Sequence, residues 1–231
     1  LISENTETRT IALHPLISEV SEKETQPTIS SCWNLWDYLH VILLIHGHDV
    51  SRPSVMINVM DSVINHIIID DAEEYLHFLQ DLFPYYEKYQ ADELLPKLTE
   101  RIEFIMNEFQ LTGPHDRALL LDYKAELLSE SGNPEKALKK RKRAVQIMEK
   151  EYAQTIDKHT VSLLSNLYNN VGTTYTVLCK KDEAASYYEK AFFIRIKHRE
   201  LDLIETHDLL LQMMNLTKTR IAQNRIAEAN V

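Results

Sequence analysis

The sequence predicts an all-α fold of antiparallel helical hairpins stacked into a superhelix, and three observations carry the prediction. Glycine is scarce, four in 231 residues, which leaves little for the tight turns of sheet architectures. Hydrophobic residues make up 44% and charged residues 26%, and the apolar positions recur at helical rather than alternating spacing. One pattern of small and aromatic residues also returns along the chain at intervals of 42 to 47 residues.

The elements follow in order. "TRTIALHPLISEV" alternates and then turns helical after Pro15, predicting a short strand and a helix from about Leu16 to Glu24. "TQPTISS" breaks the pattern and supplies Ser30 or Ser31 as a cap. Trp33, Trp36, Leu39, Leu43 and Leu44 fall near helical spacing between Cys32 and His46, and Gly47 suits a left-handed end. The two tryptophans and these leucines are read as core, although a ligand pocket or an interface would use the same residues. Pro53 suits the first turn of a second helix running through Met56, Met60 and Val63 to Ile67. Further helices are expected over 73–89 and 92–109, and "LTGPHD" at 111–116 is the clearest break in the chain.

Beyond that break the repeat becomes explicit. Gly172, Tyr175, Ala184, Tyr188 and Ala191 read as a small residue and an aromatic in one helix, then alanine, aromatic and alanine in the next. This spacing puts the small residues where two antiparallel helices touch, with aromatics filling the space beside them. A glycine inside a helix costs about 1 kcal/mol relative to alanine, which close packing must offset. The template fits again at Ala125, Leu128, Gly132, Ala137 and Ala144, with Asn133 and Pro134 capping and starting the second helix. Near the end Leu216, Thr217 and Ala229 align with Val171, Gly172 and Ala184, and a weaker copy lies at Leu82, Tyr86, Leu95 and Ile102. Arg141 and Arg220 depart from the pattern, standing where Tyr188 and Tyr175 stand in the 166–197 copy.

This pattern resembles the tetratricopeptide repeat (TPR), stretched as in the long repeats of kinesin light chains and many signalling ATPases. The resemblance implies a right-handed superhelix whose concave face, lined by the first helix of each pair, receives a peptide or helix. Carried over position by position, it nominates Asp122 and Glu126, then Asn166, Asn169, Thr173 and Thr176, then Lys218 as groove residues. The asparagines would bond a peptide backbone, and ordinary solvated helix faces would show the same residues. The lysine and asparagine set with which some members clamp a terminal carboxylate is not reproduced.

"TIALHPLISEV" resembles the end of the winged-helix segment in signal-transduction ATPases of the STAND/NB-ARC class, which precedes a helical bundle and long repeats. The resemblance implies three parts: a winged-helix-like remnant or linker over 1–28, a bundle with degenerate hairpins over 29–110, and repeats over 111–231. It also implies that this is the ligand-sensing, autoinhibitory piece of a longer bacterial polypeptide whose ATP site lies upstream. The first residue is not methionine and the chain stops inside a repeat, in keeping with an excised piece. No G-x-x-x-x-G-K occurs, so no cofactor is expected in this segment. An alternative is a peptide-pheromone-responsive regulator of the Gram-positive type, which joins its own effector bundle to such repeats.

Other chemistry is argued against. A formal charge of −10 disfavours a general nucleic-acid binder, and the apolar runs at 41–45 and 67–69 fall far short of the roughly 20 residues of a membrane span. Partners are therefore proteins or peptides, and self-association stays open. Cys32 and Cys179 match no metal or disulfide spacing, which suits a reducing, cytoplasmic setting. "HGHD" at 46–49 lacks a third ligand, and no nucleophile is paired with a base, so no enzyme and no metal site are expected. "DDAEE" at 70–74 reads as an acidic first turn complementing a helix dipole. "KKRKR" at 139–143 should spread around its helix rather than form one stripe, with Glu135, Glu149 and Glu151 pairing its charges.

Overall fold

A computed structural model describes residues 2–5, 10–13, 26–45, 53–200 and 206–223. Among them are nine α-helices and one two-stranded antiparallel ladder, β1 (Ile2–Asn5) and β2 (Thr10–Leu13), paired from Ile2–Leu13 to Asn5–Thr10. The expected strand is β2, and its partner β1 was not anticipated. The predicted helix at 16–24, the "HGHD" turn and Gly47 lie outside the described residues.

The chain forms two compact units, 1–98 and 99–231. In the first, α1 (Trp33–Ile45), α2 (Pro53–His66) and α3 (Ala72–Lys88) surround an aromatic core. Trp36 is 1% exposed, stacks on Tyr75 at 6.0 Å and sends its Nε1–H to Glu74 Oε1 at 2.9 Å. The tryptophan pair divides here, because Trp33 is half-exposed and lies outside the core. Thr28, not Ser30 or Ser31, starts the turn before α1. Its Oγ1 accepts from the Ser31 N–H at 3.0 Å and its own N–H donates to Ser31 Oγ at 2.9 Å, a reciprocal cap. Asp71 caps α3 by accepting from the Glu74 N–H at 3.0 Å, so the acidic run is a helix start.

The boundary between the units falls within α4 (Leu95–Glu108), whereas the strongest sequence break lies after residue 110. The second unit continues with α5 (Pro114–Glu130), α6 (Pro134–Tyr152), α7 (Lys158–Val177), α8 (Lys181–Lys197) and α9 (Thr206–Ala222). Helices α5 and α6 form one hairpin, α7 and α8 the next; α7 packs on α6, and α9 on α8.

The hairpins close through alanine. Ala118, Ala125, Ala137, Ala144, Ala184 and Ala191 are fully buried, as are Leu167 and Val171. Gly172 meets the Tyr188 ring so closely that an added Cβ would lie 2.7 Å from its Cε1. Tyr175 and Tyr188 are 6% and 4% exposed and close the sides of this contact. Leu82, Leu95 and Ile102 are likewise 0% exposed, but with side chains too large to serve as notches.

Gly132 has a different task. Its φ is +74° and an added Cβ would meet nothing within 4 Å, so it is a turn residue rather than a packing notch. The N–H of Asn133 reaches the Leu128 carbonyl at 2.8 Å and that of Gly132 reaches Ser129 at 3.0 Å. Together they close a Schellman turn. The same two bonds recur where Lys180 and Cys179 donate to Tyr175 and Thr176, and where Ala91 and Gln90 donate to Tyr86 and Glu87. Gln90, Gly132 and Cys179 all have positive φ and stand at equivalent repeat positions. Asn133 occupies its expected cap position, but its Nδ2 donates to the Ser131 carbonyl and its side chain accepts nothing from the helix.

Candidate functional site

The first helices of the second unit, α5, α7 and α9, carry the nominated groove residues, and lateral hydrogen bonds join them. Asn170 Nδ2 donates to Asp122 Oδ2 at 2.8 Å, linking α7 to α5. One repeat later Asn215 Nδ2 donates to Asn169 Oδ1 at 3.1 Å, linking α9 to α7. Asn170 and Asn215 are equivalent in the 45-residue offset, as are Thr174 and Thr219, whose hydroxyls each donate to the carbonyl four residues back. A single interaction is thus used twice to set first helices side by side.

Each second helix also sends an arginine into this layer. Arg141 of α6 donates through Nε to Asp122 Oδ1 at 3.1 Å, through Nη1 to Thr174 Oγ1 at 2.7 Å, and through Nη2 to Glu126. Its side chain is 5% exposed, and those of Asp122 and Glu126 are 14% and 26% exposed. Burial pushes the Asp122 carboxyl above its ordinary value, with Arg141 and Asn170 opposing the rise. Arg195 of α8, 1% exposed, reaches Ser165 Oγ at 3.1 Å, Ser162 Oγ at 3.4 Å and Asn166 Oδ1 at 2.8 Å. The buried Gln212 of α9 meets the same Ser165 Oγ at 2.9 Å.

These bonds sort the nominated residues. Asp122 and Glu126 are drawn inward on Arg141, and both Asp122 oxygens already accept bonds. Asn169, partly buried, spends its Oδ1 on Asn215. Asn166 is exposed, and because a guanidinium only donates, its Oδ1 is fixed inward and its Nδ2 is left for solvent. Thr173 and Thr176 are exposed at the rim, their hydroxyls bonded to the backbone of Asn169 and Gly172 and near the Tyr188 hydroxyl. Lys218 is exposed on α9.

Lys218 shares its stripe with Leu211, Met214 and Ile221, at helical spacing and 43%, 51% and 50% exposed. Sequence reading missed these apolar neighbours, although the offsets that select Asp122 and Asn169 also select Met214. The open face therefore consists of amide and hydroxyl groups on α7 and exposed apolar groups with one cation on α9. Helix α7 contains no Asp or Glu at all. The face can accept an extended or helical polypeptide, giving donors to its carbonyls and an apolar strip to its side chains.

Among the described residues no group of three or more His, Cys, Asp and Glu could hold a metal ion, and no helix is long and apolar enough to cross a membrane. Tyr152 Oη and His198 Nε2 meet at 2.6 Å, and Lys197 Nζ lies 3.3 Å from the same hydroxyl.

No family model matches the sequence, and no curated protein does. Solved structures do. BtubC (BKLC) from P. vanneervenii superposes with a TM-score of 0.55 at 15% identity, over 90% of this chain and 86% of that one. The nearly identical TPR-like repeats of a putative kinesin light chain from Podosopora anserina give a TM-score of 0.56 at 14% identity, over 87% and 90% of the two chains. A single-substitution variant of those repeats gives 0.57 at 14% identity over the same shares. Identity this low speaks for the fold alone, and the fold shared with these proteins is the helical TPR-like repeat.

Proposed function

We propose that the chain is a non-catalytic protein- or peptide-binding module whose ligand lies along α5, α7 and α9. The observation that carries this reading is the double lateral link, Asn170 to Asp122 and Asn215 to Asn169. It aligns three helix faces while leaving Asn166, Thr173, Thr176 and the Met214–Lys218 stripe open. The test is selection of displayed peptides on the full chain, followed by binding measurements on a Thr173→Arg/Met214→Arg variant, both positions being exposed. The reading expects that variant to lose about ten-fold or more in affinity while keeping its helical content. Equal binding by variant and parent would remove the α7–α9 face as the site.

The larger setting we infer is the sensor and autoinhibitory region of a cytoplasmic STAND-type signalling ATPase, with a winged-helix remnant over 1–28, a bundle over 29–110 and repeats over 111–231. The "LHPL" phrase supports it, as does the β1–β2 ladder immediately upstream, which has the form of a wing. A ligand acts in such a protein only by binding the closed and open states with different affinity. The reading fails if the full-length parent hydrolyses ATP and assembles identically with and without residues 70–231. A start codon just upstream of Leu1, with no Walker motif in frame, favours the peptide-responsive regulator instead.

A further inference from the structure

The run "KKRKR" spreads around α6, as its helical spacing predicts, and does not form one stripe of five. Arg141 turns inward to Asp122 and Glu126, and Lys142 lies over the Tyr175 ring with Nζ 5.2 Å from its centroid. The other three, the exposed Lys139 and Arg143 and the half-buried Lys140, fall on the outer side of α6 by helical angle, together with the exposed Lys136 and Lys150. At helical periodicity these five occupy roughly 100° of arc along about 21 Å of axis. The buried side of the helix, Ala137, Arg141, Ala144, Val145 and Met148, faces away from them.

The surface pairing expected with Glu135, Glu149 and Glu151 does not form: among the described residues no carboxylate makes an ion pair with any of the five. Glu149 instead accepts from the Tyr168 hydroxyl at 2.8 Å. In a chain with 35 acidic and 25 basic residues, these five cations, which no described carboxylate pairs, outnumber the three carboxylates of α6 and form a local field opposite in sign to the whole. We propose that this stripe docks a short acidic polypeptide segment, helical or extended, contributed by a partner protein.

Three features favour that occupant over other polyanions. A duplex carries a charge about every 1.7 Å and runs on past the stripe, so its excess charge meets the net-negative remainder of the chain. A segment with a handful of carboxylates ends where the stripe ends, and within a Debye length of about 8–10 Å it meets five cations against the three carboxylates of the same helix, Glu135, Glu149 and Glu151. No large apolar side chain of α6 is exposed, so the helix has nothing to insert beneath lipid headgroups. Acidic side chains at i, i+3, i+4 and i+7 on a partner helix repeat at the same axial spacing as the cations. This site shares no residue with the α5–α7–α9 face and stands or falls independently of it.

The test uses the full chain and a fluorescein-labelled alanine-based peptide with glutamates at that spacing, read by fluorescence anisotropy. Its glutamine counterpart, a single-stranded DNA of about twenty nucleotides and phosphatidylserine vesicles are measured alongside. The glutamate peptide should bind, release with added salt, and lose about ten-fold or more in affinity on Lys139→Glu/Lys140→Glu/Arg143→Glu. The off-stripe triple Lys97→Glu/Lys158→Glu/Lys180→Glu, with the same charge change, should stay within about three-fold. Circular dichroism confirms that both triples are folded. Absent peptide binding, equal weakening by the two triples, or tighter stripe-dependent binding of DNA or vesicles would each overturn the proposal.

Discussion

Replacing Gly172 by alanine tests the packing from which the repeat is built. Alanine is the better helix former by about 1 kcal/mol, so on propensity alone Gly172→Ala should stabilise α7. The structure reverses that sign. The new Cβ would lie 2.7, 2.8 and 3.1 Å from Cε1, Cδ1 and Cζ of Tyr188, and that ring has little room to retreat. It is 4% exposed, and its hydroxyl lies 3.3 Å from Thr173 Oγ1 and 3.2 Å from Thr176 Oγ1. Overpacking of a well-filled core costs about 1–3 kcal/mol, and disturbing the phenol bonds adds about 0.5–1 kcal/mol. Against the propensity gain the net loss is about 0.5–3 kcal/mol, or roughly 2–11 °C in the melting of a unit of about 130 residues. Circular dichroism at 222 nm reads the shift. In a Tyr188→Leu background, with the ring gone, the same substitution should be neutral or stabilising. An unchanged or raised melting temperature in the Tyr188 background would refute the claim that glycine is there for close approach.

Arg141→Ala leaves Asp122 and Glu126 facing each other without their cation, and should cost about 3 kcal/mol by urea denaturation, far more than Lys139→Ala on the outer face. Asp122→Asn probes the pH dependence of the same cluster. Because the folded Asp122 carboxyl is raised above 3.8 by burial, its charge penalises folding at neutral pH, and the penalty is relieved as pH falls through the folded pKa towards 3.8. Stability of the parent should therefore gain on that of Asp122→Asn as pH drops from 7 to 4; a gap independent of pH would contradict the burial argument. Asp157 has the opposite sign: its bond from the Thr160 N–H at 2.8 Å holds the carboxyl below 3.8. The stability contributed by that cap is present above pH 3.8 and disappears as pH falls through the depressed value, and Asp157→Ala should cost about 1 kcal/mol at neutral pH.

Spacing carried the architecture because close helix contact admits only small side chains, so Ala137, Ala144, Ala184 and Ala191 are legible in one dimension. The turns were legible only at Gly132. The same left-handed turn at Gln90 and Cys179 is a backbone arrangement to which those side chains give no clue. Arg141 read as a missing aromatic, since its partners Asp122 and Glu126 lie a helix away and only the fold brings them together. The lateral asparagines were hidden for a related reason: Asn170 looks like its neighbour Asn169 until the register places it against α5. Repeat position nominates the groove residues, and it fixes a face but not which polar groups on that face are already bonded. That difference separates Asn166, whose Nδ2 is left over, from Asp122, whose oxygens are both taken.

The most direct test of the account is an amide NMR map of the second unit, within the intact chain, titrated with a peptide selected on it. Shifts should concentrate at Asn166, Asn169, Thr173, Met214 and Lys218 and in the side-chain amide of Asn166. Shifts confined to the outer sides of α6 and α8, with α7 and α9 silent, would contradict it.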